Sequence, residues 1–158
     1  MRMAATGAAV VGLLAITSAC IPFAEVPLPT ATATLHFATV DLPRGSYCWS
    51  GGGHAECADS AGPDMLLKTG YLKPYRTAGG FDAFVKFHGQ SDPRTFHVSL
   101  VQTPENRPPA PIQSRGHTFA IPAVTPGAAG VYVYSVGGTW AEGDVSFFLA
   151  LELLPGTA

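Results

Sequence analysis

Charge is scarce in this chain: 11 Asp and Glu stand against 9 Lys and Arg in 158 residues, a formal net charge of −2. The basic residues form no cluster. Nucleic-acid binding therefore has no electrostatic footprint, and no nucleic-acid partner is expected. Residue patterns for chemistry are scarce too. The sequence holds no G-x-S-x-G nucleophile elbow, no Walker loop and no dinucleotide fingerprint. Asp59, Asp64 and Asp82 are scattered over turns and strands, without the pairing a glycosidase needs. Gly51-Gly52-Gly53 lies between strand-like segments instead of opening a helix, so it makes no phosphate cradle. The reading is a non-enzyme with no cofactor.

Long apolar runs are also missing. Ala4 to Ala15 is uncharged and rich in Ala, Val and Leu. It is short of the roughly 20 residues that a spanning helix needs, and suits the core of an export signal behind the positive Met1-Arg2. Ile16, Thr17, Ser18 and Ala19 then lead into Cys20. These residues resemble the bacterial lipoprotein signal, whose lipobox ends in a small residue before the cysteine that is lipidated. The position three before the cysteine, aliphatic in the commoner form, is Thr17 here. Thr17 and Ala19 also fit an ordinary secretory cleavage after Ala19. The resemblance implies a signal peptide over 1–19, lipidation of Cys20 and a place on the outer side of a cell membrane.

Cysteine is the next shortage, with three in all. Three is an awkward number for an exported protein. Lipid on Cys20 leaves Cys48 and Cys57 as one pair, whereas plain secretion would leave Cys20 a loose thiol in an oxidising place.

What is abundant is turn chemistry and aromatic mass. The chain carries 18 Gly, 14 Pro, 9 Phe, 5 Tyr and 2 Trp. Removal of the leader leaves 139 residues, the size of one domain. Many glycines and prolines among apolar residues argue for short strands joined by turns. Residues 20–34, with three prolines and alternating Ala and Thr, read as a lipid-anchored tether. At about 3 Å per residue it would lift the domain some tens of ångströms from the membrane. Its last residues also suit the start of a first strand. Residues 35–158 read as the folded domain.

Within that domain Leu35 to Asp41 alternates as a strand. Tyr47-Cys48-Trp49-Ser50 and Ala55-Glu56-Cys57-Ala58 flank the three glycines. With Gly52-Gly53 as a two-residue turn, Gly51 pairs with His54 and Cys48 with Cys57. Pair types alternate outward from the turn, so the two cysteines fall on a non-hydrogen-bonded pair, where side chains are closest. A structural disulfide follows, because redox-active spacing and a neighbouring cation to lower a thiol pKa are both missing. Gly62 to Lys68 suits a single helical turn, and Tyr71 to Gly80 reads as an irregular connection. Phe81 to Phe87 and Phe96 to Gln102 read as a hairpin across Gly89 to Pro93. Thr103 to Gln113 is a proline-rich crossover between sheets. Gly116 to Ile121, Val131 to Val136 and Val145 to Leu154 complete the strands, with 137–144 as a long hairpin loop.

Tyr132 opens the penultimate strand just after Pro126-Gly127-Ala128-Ala129-Gly130. This is similar to the tyrosine corner of immunoglobulin-like sandwiches. It implies an all-β, Ig-like antiparallel sandwich of seven or eight strands, in architecture only, since the cysteines are local.

Trp49 and Trp140 each sit beside a Gly-rich turn. They are the candidate ligand-binding residues, against the alternative that they plug an end of the core. Five histidines, His36, His54, His88, His97 and His117, invite a metal reading. No ligand spacing supports one, and His36, His97 and His117 are expected on solvent-facing strand positions. The expected function is a lipid-anchored cell-envelope protein with a non-catalytic binding or structural role. Its partners are the membrane, through the lipid, and a protein or small-molecule ligand in the envelope. The alternatives are an envelope copper or redox protein, because a sandwich can host a His, Cys and Met site, and a protease-inhibitor-like Ig domain.

Overall fold

The computed structural model describes residues 26–51 and 53–156. The signal at 1–19, Cys20 and the first part of the tether lie outside the described residues. Two sheets pack face to face. The smaller sheet runs β2 (Ala38–Leu42), β1 (Thr30–Leu35), β6 (Phe81–His88), β10 (Thr118–Ile121) and β9 (Ser114–Arg115). The larger runs β4 (His54–Ala58), β3 (Arg44–Gly51), β12 (Gly143–Leu154), β11 (Gly130–Thr139), β7 (Thr95–Gln102) and β8 (Ala110–Ile112). A short β5 (Tyr75–Ala78) lies parallel to the end of β12. The expected all-β sandwich is what forms. Among the described residues it has twelve strands in place of seven or eight, because several segments read as loops carry short strands.

The long pair β11 and β12 supplies the core by simple alternation. Val145, Phe147, Leu149, Leu151 and Leu153 point between the sheets and are almost wholly buried. Ala31, Ala33 and Leu35 of β1 and Ala83, Val85 and Phe87 of β6 meet them from the other side. Burial of this apolar area is the main stabilising term. The outer face of β12 is not bare either. Phe148 and Ala150 pack with Val133 under Leu66 of α1 (Pro63–Lys68) and Leu72. This second, smaller core roofs one face of the larger sheet.

Several expected details are corrected. Residues 35–41 do not make one strand: the chain turns at His36-Phe37, so that Leu35 pairs with Ala38 and Phe37 is left 91% exposed. β6 and β7 do not form a hairpin. β6 pairs with β1 and β10, while β7 pairs with β11 and β8, so residues 89–94 pass from one sheet to the other. The stretch 71–80 is not wholly irregular, since it contains β5. The loop expected at 137–144 shrinks to Trp140–Glu142, because pairing continues through Gly138↔Val145 and Thr139↔Asp144. The first strand starts at Thr30, so the last five tether residues belong to the sheet.

The hairpin β3–β4 has the expected register, with Gly51↔His54 and Cys48↔Cys57 as partners. The cysteines are disulfide-bonded, with Cα atoms 4.1 Å apart. Gly53 takes φ +85°, the left-handed region that this turn requires. The tyrosine corner forms too. Tyr132 donates its hydroxyl to the carbonyl of Ala128 at 2.6 Å, across the 3-10 turn Pro126–Ala128.

The chain order gives the sandwich two distinct poles. Val26 to Pro29, the β3–β4 turn, residues 89–94 and Trp140–Glu142 gather at one pole. The His36-Phe37 turn, Gly79-Gly80 and residues 122–129 gather at the other.

Candidate functional site

At the entry pole the two tryptophans are core residues. Trp49 and Trp140 are only 6% and 4% exposed, with ring centroids 5.8 Å apart in an edge-on contact. Trp140 also stands edge-on to Phe87 at 5.1 Å. Each indole N–H has a backbone acceptor, Val26 O at 3.0 Å for Trp49 and Ser91 O at 2.7 Å for Trp140. Of the two expectations for these residues, the core plug is the one that forms: the rings close the pole of the core, and their polar edges pin the neighbouring chain. Arg44 Nη2 and Gln90 Nε2 add bonds to the carbonyls of Pro29 and Pro27. From Val26 onward the segment read as tether is therefore strapped to the domain.

The histidines are dispersed. The His36 ring meets the Phe37 ring edge-on in the β1–β2 turn, not at the strand position expected of it, and His88 Nε2 lies 3.1 Å from Thr32 Oγ1. His97 lies across Gly137. His117 is half-buried in the β9–β10 turn against Phe87 and Phe96, at 5.4 and 5.1 Å between centroids. The expected solvent-facing strand position for His117 is thus corrected. Among the described residues no group of three or more His, Cys, Asp and Glu could hold a metal ion.

A groove lies on the open side of the sandwich, where β2 ends and β5 begins. This groove has a volume of about 540 Å³. One wall is Val40–Pro43, the other is Tyr71–Tyr75, and the floor is Phe148–Ala150 of β12. The alternation of β2 explains the first wall: Val40 and Leu42 turn inward beside Ala33 and Ala31, and Asp41 turns outward. Pro43 then carries the chain to the other sheet, its carbonyl accepting from the Phe148 amide at 2.9 Å. Leu72, buried on the second core, anchors the facing wall, and its amide donates to Leu66 O at 3.0 Å. Tyr71 on the same wall is left 59% exposed.

Tyr71 also lines a second hollow of about 330 Å³, with Arg44, Gly45, Tyr47, Ser60 and Leu66. The Arg44 guanidinium lies 5.8 Å from the centre of the Tyr47 ring. The Tyr47 hydroxyl donates to Glu56 at 2.6 Å, and that bond raises the Tyr47 pKa above its ordinary value. The two hollows together offer three tyrosine rings (Tyr47, Tyr71, Tyr75), two prolines (Pro43, Pro74), the Arg44 guanidinium, and, on facing walls of the first, Asp41 and Lys73. The ion pairs among the described residues are Arg76–Glu152 and Arg107–Glu105, so neither Asp41 nor Lys73 has a charged partner among them. Such a surface can hold an apolar ligand and orient it by charge.

Sequence reasoning did not single out Tyr71, Lys73 or Tyr75. The groove assembles from three stretches far apart in the chain, and no local pattern joins them. The chain matches no protein-family model, no curated protein and no solved structure.

Proposed function

We propose that this is an exported, lipid-anchored protein of the cell envelope with a non-catalytic binding role, and that its ligand occupies the groove between β2 and β5. The observation that carries the reading is the groove itself: an apolar floor, exposed Tyr71, and on opposite walls Asp41 and Lys73, without a charged partner among the described residues. The lipobox-like residues before Cys20 support the address. The exposed Cys48–Cys57 disulfide supports it as well, since such bonds persist in oxidising compartments.

The test is site-specific photo-crosslinking in cells that make the full chain. A photoreactive amino acid replaces Tyr71 in one strain and Phe84, exposed on the outer face of the smaller sheet, in another. Discrete adducts from position 71 alone, in the membrane fraction, are expected. The same adducts from both positions, or turnover of a hydrolase or redox substrate panel by the purified full chain, would contradict the reading.

A further inference from the structure

We infer that the groove ligand is an extended peptide segment, which adds as a strand to the free edge of β2; the inference rests on the groove reading above. Strand parity carries it. The two-residue turn makes Leu35 and Ala38 a hydrogen-bonded pair, and pair types alternate from there. Ala38, Val40 and Leu42 therefore direct N–H and C=O to β1, while Thr39 and Asp41 direct theirs away from it. The same parity carries across β1 to β6: there Phe84, Lys86 and His88 bond to β1, and the main chain of Val85 faces away from β1, where its amide donates to His117 O at 2.9 Å. On the far side of β2 the sheet ends. Among the described residues no hydrogen bond engages the main-chain groups of Thr39 or Asp41 at that edge. Their partner in chemistry is another main chain, with N–H and C=O repeating every second residue.

The other edges are protected in recognisable ways. β8 contains Pro111, which has no N–H to give. β9 is two residues long. β4 carries Glu56 and is stapled by the disulfide. β5 has four residues behind Pro74, and its Arg76 is paired to Glu152. β2 has five residues, no proline and the groove beside it. A strand laid there extends the layer of Val40 and Leu42, so its inward side chains, alternate and apolar, fill the space over Leu72 and Phe148. Its outward side chains come beside Asp41, which fits a basic residue there. Lys73 across the groove fits an acidic group.

The test uses the full chain in detergent and a synthetic hexapeptide, N-acetyl-threonyl-valyl-lysyl-valyl-threonyl-valine amide. A second peptide has the same side chains but is N-methylated at every residue, so that in neither strand direction does it offer a donor along its length. NMR follows the Tyr71 and Tyr75 signals and the exchange of the Thr39 and Asp41 amides. The expected result is at least tenfold slower exchange of both amides with the first peptide, and at least tenfold weaker binding of the second. Asp41→Pro, which removes an edge donor at a position where proline is tolerated, is expected to lose binding by a similar factor. Asp41→Asn is expected to lose only a few-fold. If both peptides shift Tyr71 and Tyr75 equally and leave the two amides unprotected, strand addition is overturned and the groove reading stands. If neither the tyrosines nor the amides respond to either peptide, both are overturned.

Discussion

Tyr132 and Tyr134 leave β11 on the same face and enter the same core, yet only one hydroxyl has a partner. Tyr132 donates to Ala128 O at 2.6 Å. The Tyr134 hydroxyl is buried with no hydrogen-bond partner. A made hydrogen bond is worth about 1 kcal/mol net, whereas an unmet buried polar group costs about 1–3 kcal/mol. The two Tyr→Phe changes should therefore have opposite signs. Tyr132→Phe is expected to destabilise by about 1 kcal/mol, and Tyr134→Phe to be neutral or to stabilise by about 1–2 kcal/mol. Denaturant unfolding of the two variants checks this, and equal losses would contradict it.

The same pair predicts the alkaline limb of stability. Burial raises the pKa of both hydroxyls above the ordinary value of 10.0, with Glu105 adding to the effect at Tyr132. A raised folded-state pKa means that the folded protein keeps the proton to higher pH than the unfolded chain. The stability contribution is complete below about pH 10 and is lost as pH rises beyond it. Thermal unfolding from pH 7 to 11 should show a fall that starts near pH 10 and is shallower in Tyr134→Phe. A fall of the same slope in that variant would remove Tyr134 from the explanation.

The Cys48–Cys57 bond closes a loop of sequence separation 9. In the chain-entropy model it contributes about 2–3 kcal/mol. Replacing both cysteines by Ser should lower Tm by roughly 6–12 °C without moving the protein in the cell. Alkylation of both thiols in native, unreduced protein would end this idea.

Trp49 links the core to the entering chain. Trp49→Phe keeps most of the ring and removes the N–H held by Val26 O. About 1 kcal/mol of stability should be lost, and the Val26–Pro29 strap should become more open to protease and to amide exchange. Unchanged protection of that segment would show that Arg44 and Gln90 suffice to hold it.

Much of the fold is legible in the sequence where one local rule decides. The β3–β4 register follows from a Gly-Gly turn and a side-chain period of two. The faces of β12 follow from ten alternating residues. The turn at His36-Phe37 hides because neither residue is a turn former, and the alternation of Leu35, Phe37 and Thr39 runs on across it. β6 and β7 look like a hairpin because both are amphipathic and a Gly-Pro stretch divides them. Which sheet each joins is decided by β1, β10 and β11, far away in the chain. β5 is too short to show a period. The groove depends on all of these non-local choices, so its residues were invisible before the sheets were assembled.

The central claim, a binding domain held outside the cell by lipid on Cys20, is tested most directly by mass spectrometry of the N-terminal peptide of the protein purified from its membrane. The account predicts loss of residues 1–19 and an acylated Cys20 at the new terminus. An unmodified Cys20 amino end, or a retained leader on protein recovered from the cytosol, would contradict it.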